Sequence, residues 1–128
     1  MKKLTITTHR SKKVVDITER INSELKDLGV KDGTGTLFVA HTTAALTTAD
    51  LDPGTDLDIL DAFDQLIPKL DYRHPHNPAH APDHILASLI GPSLSLIIEN
   101  GQLVLGTWQR IVLVELDGPR QRDIVLSM

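Results

Sequence analysis

Leu4, Ile6 and Thr8 alternate with Lys3, Thr5 and Thr7, the period-two rhythm of a strand with one buried face, and predict β-structure over about residues 3–9. The rhythm then lengthens. Ile17, Ile21, Leu25 and Leu28 recur at helical spacing between a capping-box pair, Asp16 and Glu19, and a stop at Gly29, so a first helix is expected there. After Gly33-Thr34-Gly35, the run Thr36–Ala40 reads as a buried strand that delivers His41 at its end. Thr42–Thr48, β-branched and alanine-rich, predicts a second extended piece, broken by Asp52-Pro53-Gly54. Leu57, Leu60, Phe63, Leu66 and Ile67 then define an apolar stripe opposite Asp56, Asp58, Asp61 and Asp64, a second amphipathic helix running to Pro68.

Residues 71–82, DYRHPHNPAHAP, carry three prolines and no apolar period, which predicts a loop. Loops of this length in compact domains usually carry function or move. A short third helix follows over Asp83–Ile90, with Pro82 at its first turn and Gly91-Pro92 closing it. Leu94, Leu96 and Ile98 alternate up to Asn100-Gly101, the signature of a tight hairpin over 93–106. Trp108–Leu116 reads as another apolar strand, Asp117-Gly118-Pro119 as a turn and Asp123–Leu126 as a terminal strand. Strands at both ends with helices between them point to an α+β fold rather than repeated βαβ units, in one domain over residues 1–128.

Composition narrows the function classes. The net charge is −4, the aromatics are only Phe38, Phe63, Tyr72 and Trp108, and the basic residues are scattered, all of which argue against nucleic-acid binding. The absence of cysteine removes disulfides, thiolate nucleophiles and Cys-ligated zinc. No apolar run approaches a membrane span and MKKLTITTHRSKK has no signal-like apolar core, so no membrane partner and a cytoplasmic location are expected.

The chemistry that remains is imidazole chemistry. Of six histidines, His74, His76, His80 and His84 lie within eleven residues, and His41 sits at a strand end. Neutral imidazole ligates transition metals and titrates near neutrality. His76, His80 and His84 have helical spacing, but Pro75, Pro78 and Pro82 forbid a continuous helix. A metal site has to come from the loop folding over His41, with His84 at a helix start that also favours anions. Asp50, Asp52, Asp71 and Asp83 are candidate carboxylate partners. The plainer alternatives are a solvated polar loop, a half-buried structural His41 and a surface His9. Thr42, Thr43, Thr47 and Thr48 read as strand formers more readily than as nucleophiles, and Trp108 as a core residue. Arg120 and Arg122 flank a turn, where they either receive a phosphate or are solvated. The apolar run from Arg110 to Leu116 suits burial at a subunit interface.

HTTAALTTADLDPGTDLDIL at 41–60, YRHPHNPAHAPDHILASLIG at 72–91 and ENGQLVLGTWQRIVLVELDGPR at 99–120, in that order and spacing, resemble the YjbQ family, whose members carry the description secondary thiamine-phosphate synthase. The resemblance implies an α+β β-sandwich of mostly antiparallel strands with about three helices, assembled as a homotrimer. It implies a divalent metal, zinc or magnesium, held by His41, His74 and His84. Asp50 is the carboxylate candidate, since Ala49-Asp50 stands where the family has Asn-Glu. His76 and His80 fall where the family varies. The implied reaction joins hydroxymethylpyrimidine diphosphate to thiazole phosphate and releases pyrophosphate, with Arg110, Arg120 and Arg122 as phosphate-receiving groups. The alternative is a non-catalytic trimer that binds a metal or a phosphorylated metabolite.

Overall fold

The computed structural model describes all residues, Met1–Met128. Eight strands and three helices follow one another as β1 (Lys2–Thr7), β2 (Lys13–Asp16), α1 (Thr18–Asp27), β3 (Gly33–Val39), β4 (Ala44–Ala49), α2 (Thr55–Leu66), α3 (Ala81–Ile90), β5 (Ser93–Glu99), β6 (Gln102–Leu103), β7 (Arg110–Glu115) and β8 (Gln121–Ser127). They build two antiparallel sheets, a five-stranded one in the order β1-β8-β3-β5-β6 and a three-stranded one in the order β2-β7-β4.

The period-two pattern explains the layers. Ile111 and Leu113 of β7 face the larger sheet and join Leu4, Leu37, Leu96, Ile124 and the α1 residues Ile17, Ile21 and Leu25 in the main core. Val112 and Val114, one residue out of phase, face the other way and meet Ala45, Leu86 and Ala87, with Leu60 and Phe63 of α2 packed against them. The molecule is thus a β-sandwich with α2 and α3 as a third layer on the smaller sheet. Because β7 is covered on both faces, every residue from Ile111 to Leu116 is buried within the chain itself. The apolar run that suggested a subunit interface is therefore satisfied internally.

Several local expectations shift. The N-cap of α1 is Ile17 rather than Asp16; Asp16, one residue earlier, accepts the Thr18 N–H at 3.0 Å, and Glu19 turns outward to Arg110 instead of closing a capping box. β2 went unread because only Val14 and Val15 mark it, between two lysines and the cap of α1. The hairpin forms at Asn100-Gly101, both residues at positive φ, yet its second strand ends at Leu103. Trp108 is 69% exposed rather than in the core, because Gly106 and Gln109 close a tight connection outside the sandwich. α3 begins at Ala81 after a 3₁₀ turn over Pro78–His80, whose entry is capped by the Asn77 side chain accepting the Ala79 N–H.

Candidate functional site

One end of the sandwich collects the start of β4, the end of β7 and the start of β8. The 71–82 segment and the first turn of α3 fold over that end. The result is an open cavity of about 930 Å³ walled by His41, His74, His76, His80 and His84, with Thr42, Thr43, Asp117, Arg120, Gln121 and Arg122, and with no apolar side chain in its lining. His41, His74 and His84, the expected trio, do share this cavity, and so do His76 and His80.

A buried ion pair forms its floor. Arg122, 2% exposed, sets its Nε 3.0 and 3.1 Å from the two carboxylate oxygens of the fully buried Glu115. Its Nη2 also donates to the Thr43 carbonyl and hydroxyl at 3.1 and 3.0 Å. Glu115 accepts further hydrogen bonds from the Thr8 hydroxyl, 2.6 Å, and the Asp117 N–H, 3.2 Å. Burial pushes the Glu115 carboxyl up, but the hydrogen bonds from Arg122, Thr8 and Asp117 and the Arg122 charge outweigh it and hold the group below the usual carboxylate range. Arg122 is accordingly a neutralised floor residue rather than a free phosphate receptor.

His41 lies against this floor with its role narrowed by one contact. Its Nε2 accepts the backbone N–H of Asp123 at 2.9 Å. Turning the ring over would set a C–H against that donor, so the proton of the neutral imidazole belongs on Nδ1. Burial and the neighbouring Arg122 charge hold this imidazole below its ordinary value, against the opposing influence of Asp123 and Glu115. His41 is thus a neutral ring that offers an N–H donor, not a lone pair.

The remaining histidines are arranged differently. The His74 and His84 rings lie side by side with centroids 4.6 Å apart and planes tilted by 33°, and His76 meets His74 edge-on at 6.3 Å. His74 Nδ1 and His80 Nδ1 are both buried without a hydrogen-bond partner. His80 points Nδ1 between two carboxylates, 3.4 Å from Asp83 and 3.4 Å from Asp117. Asp83 also pairs with Lys12 at 2.6 Å, while Asp117 pairs with Arg120 at 3.1 Å.

A resident metal can be tested against this geometry. No three His, Asp or Glu side chains converge on a common point with ligand geometry. With the His41 Nε2 lone pair committed to the Asp123 N–H, the trio does not offer three free imidazole lone pairs and so does not fit a three-imidazole zinc centre. Magnesium, which demands oxygen ligands, fits a histidine-walled cavity still less.

Two expected site residues lie elsewhere for a reason of register. Ala44 of β4 is opposite Glu115 of β7, whereas Ala49 is opposite Arg110. Asp50 and Arg110 therefore sit at the far end of these strands, about 20 Å from Thr43 at ordinary strand rise. There Asp50 accepts the Asp52 N–H, and Arg110 bonds Asp16 at 2.8 Å and Glu19 at 3.2 Å. Arg120, by contrast, reaches the cavity as expected. Asp117, read from sequence only as a turn residue, is the group missed; its place in the Asp117-Gly118-Pro119-Arg120 segment was the available signal.

A family model described as UPF0047 protein YjbQ-like matches residues 2–128. The chain belongs to the YjbQ family. A UPF0047 protein of Methanocaldococcus jannaschii is 39% identical over 127 residues, covering 98% of this chain and 91% of that one. YugU, a UPF0047 protein of Bacillus subtilis, is 35% identical over 129 residues, covering 100% and 98%. Among solved structures, a YjbQ/UPF0047 protein of Clostridium acetobutylicum superposes with a TM-score of 0.89 at 40% identity, covering 99% of this chain and 98% of that one. A YbjQ-like protein of unknown function from Sulfolobus solfataricus also reaches 0.89, at 35% identity, covering 98% and 92%. The YjbQ sandwich is therefore the fold, and these relatives' names carry no activity.

Proposed function

We propose that the histidine cavity of this YjbQ-family chain is an anion site that receives the phosphate or diphosphate of a small metabolite. The observation that carries this reading is the neutral His41, fixed by Asp123 so that it presents Nδ1–H, in a cavity lined by imidazoles and Arg120 without apolar side chains. Such donors stabilise a departing diphosphate by hydrogen bonding and positive charge. The thiamine-phosphate-synthase-like substitution implied by the family resemblance, in which the thiazole nitrogen displaces pyrophosphate from hydroxymethylpyrimidine diphosphate, is a reaction of this kind. Any divalent ion it needs is best regarded as arriving with the diphosphate. His80, whose Nδ1 lies 3.4 Å from both Asp83 and Asp117 without a hydrogen bond to either, is the candidate for moving a proton.

A homotrimer in the cytoplasm is part of the same proposal. No helix is long and apolar enough to cross a membrane. The outer face of the five-stranded sheet leaves Phe38 and Ile97 44% and 57% exposed among threonines and serines, an apolar surface that supports self-association. Sedimentation of wild type and Phe38→Glu checks the assembly, with a trimer expected for the former and a smaller species for the latter.

The central test is calorimetry with inorganic phosphate and pyrophosphate, followed by the two-substrate reaction monitored for pyrophosphate release. Binding weakened about fivefold or more by His41→Ala and by Arg120→Ala is expected, each removing one anion donor. An affinity for both anions that is indifferent to these substitutions refutes the reading. Binding without product assigns the non-catalytic alternative.

A further inference from the structure

His80 ends the 3₁₀ turn Pro78–His80 and is the one histidine of the chain with a ring nitrogen within 4.0 Å of a carboxylate oxygen. Its buried Nδ1 lies 3.4 Å from Asp83 Oδ2 and 3.4 Å from Asp117 Oδ1 and makes a hydrogen bond to neither. The two carboxylates are not equivalent. Asp83 is half of a close pair with Lys12, 2.6 Å away, and Lys12 also donates to the Leu116 carbonyl at 3.2 Å. Asp117 is paired through its other oxygen, Oδ2, which accepts from Arg120 Nη2 at 3.1 Å, and the Arg120 side chain is 54% exposed. An ion pair so open to solvent is worth little and is readily exchanged for another anion. Arg120 Nε, which donates to the Asp117 carbonyl at 2.7 Å, anchors the side chain while its outer nitrogens turn.

We infer that Asp117 is an internal stand-in for the ligand anion: an arriving anion takes the outer edge of the Arg120 guanidinium from it, and His80 takes up a proton to hold the released carboxylate. This rests on the anion reading of the cavity and adds its regulation, a coupling of occupancy to proton uptake. Once Arg120 has turned away, the partly buried Asp117 carboxylate lacks a counter-charge, whereas Asp83 keeps Lys12. His80 is the group beside it that can gain one. A proton from solvent bonds to the imidazole, and a movement of about half an ångström brings Nδ1 to ordinary hydrogen-bond distance from Asp117 Oδ1. The other groups of the histidine cavity are committed elsewhere. His41 Nε2 accepts the Asp123 N–H, His84 and His76 pack on His74, and Arg122 is bound to Glu115. On its opposite side His80 borders a second cavity, of about 650 Å³ beneath α2, whose remaining titratable groups are Asp64, Lys69, Asp71 and Tyr72. None of these forms an ion pair with His80, Asp83 or Asp117.

Isothermal titration calorimetry with sulfate, a tetrahedral dianion that does not titrate near neutral pH, tests the coupling when repeated in buffers of different ionisation enthalpy. Wild type is expected to take up a fraction of a proton with each sulfate and, by linkage, to bind sulfate more weakly as pH rises. His80→Gln and Asp117→Asn are each expected to abolish the uptake. Asp117→Asn is also expected to bind sulfate about two- to fivefold tighter, because Arg120 is then free of its competitor. Made on top of Arg120→Ala, the same change should leave sulfate affinity where Arg120→Ala alone puts it. A gain of equal size in that background makes Asp117 a merely repelling charge and overturns the exchange. Uptake that survives in His80→Gln overturns the role of His80. Arg120-dependent sulfate binding without proton uptake, or phosphate binding through Arg120 with no sulfate binding, overturns the inference and leaves the anion reading in place. Sulfate and phosphate affinities that are both indifferent to Arg120→Ala overturn the two together.

Discussion

Glu115→Gln is the substitution with the sharpest consequence for this fold. The amide keeps the size of the carboxylate but leaves the Arg122 guanidinium, 2% exposed, without its counter-charge. Removing one partner of a buried pair typically costs about 3–5 kcal/mol, because the other charge stays desolvated. For a domain of this size that corresponds to a fall in Tm on the order of 10–20 °C. Arg122→Met is expected to cost a similar amount, since it strands the Glu115 carboxylate. The double variant Glu115→Gln, Arg122→Met strands neither charge, and its remaining cost is the lost hydrogen bonds of Thr8, Thr43 and Asp117, each on the order of 1 kcal/mol. It should therefore be more stable than the sum of the two single changes predicts.

Urea denaturation of the four proteins, read as a double-mutant cycle, measures the coupling directly. The pH dependence gives an independent reading. The folded Glu115 carboxyl titrates below its ordinary value of 4.5, so the unfolded chain binds the proton more readily. The stabilisation is fully present above that value and is lost as pH falls through the lower, folded one. Glu115→Gln should flatten that part of the acid limb. Single variants that unfold within about 1 kcal/mol of wild type, or costs that simply add in the double variant, refute the claim that this pair holds the end of the sandwich together.

The His41 ring should titrate below its ordinary value of 6.5 in an NMR pH series, because burial and Arg122 disfavour its charge. The folded value being the lower one, its contribution to stability is present above 6.5 and declines as pH falls through the folded value; a midpoint above 6.5 contradicts the assigned contacts. Zinc added to chelator-treated protein should not survive dialysis at one per chain, as measured by elemental analysis. Stoichiometric zinc lost in His74→Ala or His84→Ala overturns the argument against a three-histidine centre. Arg110→Ala should leave phosphate affinity unchanged and cost at most about 1 kcal/mol in a denaturation curve, as expected of a half-exposed pair with Asp16 and Glu19 at the far end of β7.

What could be read from the chain divides along physical lines. Alternation in β1 and β5 and the stripe of α1 are consequences of one buried face, so they were visible in sequence. β7 shows no alternation because helices cover one of its faces and a sheet the other, and an apolar run of that kind looks the same whether a subunit or the chain itself covers it. The site was legible as a residue type but not as an assembly. Histidine density marked the 74–84 segment, and the strand ending at His41 marked the surface it folds onto. Which atoms face the cavity depends on contacts that no spacing encodes: a backbone N–H eighty-two positions along the chain occupies His41 Nε2. Arg122 was legible as a candidate phosphate group beside a turn, but not as half of a buried pair, for a related reason. Its turn-side position suggested solvent, and only the β1–β8 and β7–β4 pairings bring Thr8, Thr43 and Glu115 around it.

Those same contacts tie the stability of the fold to the charge of the cavity. Thr8 donates to Glu115 and accepts the Arg120 N–H at 3.0 Å, so the residue following β1 fixes the backbone from which Arg120 reaches the cavity. Arg122 spends its hydrogen bonds on Glu115 and Thr43, while its charge helps keep His41 neutral and its chain neighbour Asp123 fixes the His41 tautomer. An arginine that bound ligand directly would have to leave Glu115 uncompensated, at a cost exceeding what one phosphate contact returns. The guanidinium left for an anion is therefore that of Arg120, whose own partner Asp117 lies in the more exposed rim of the cavity. His41 in turn contributes its N–H donor at every pH at which the floor beneath it remains paired.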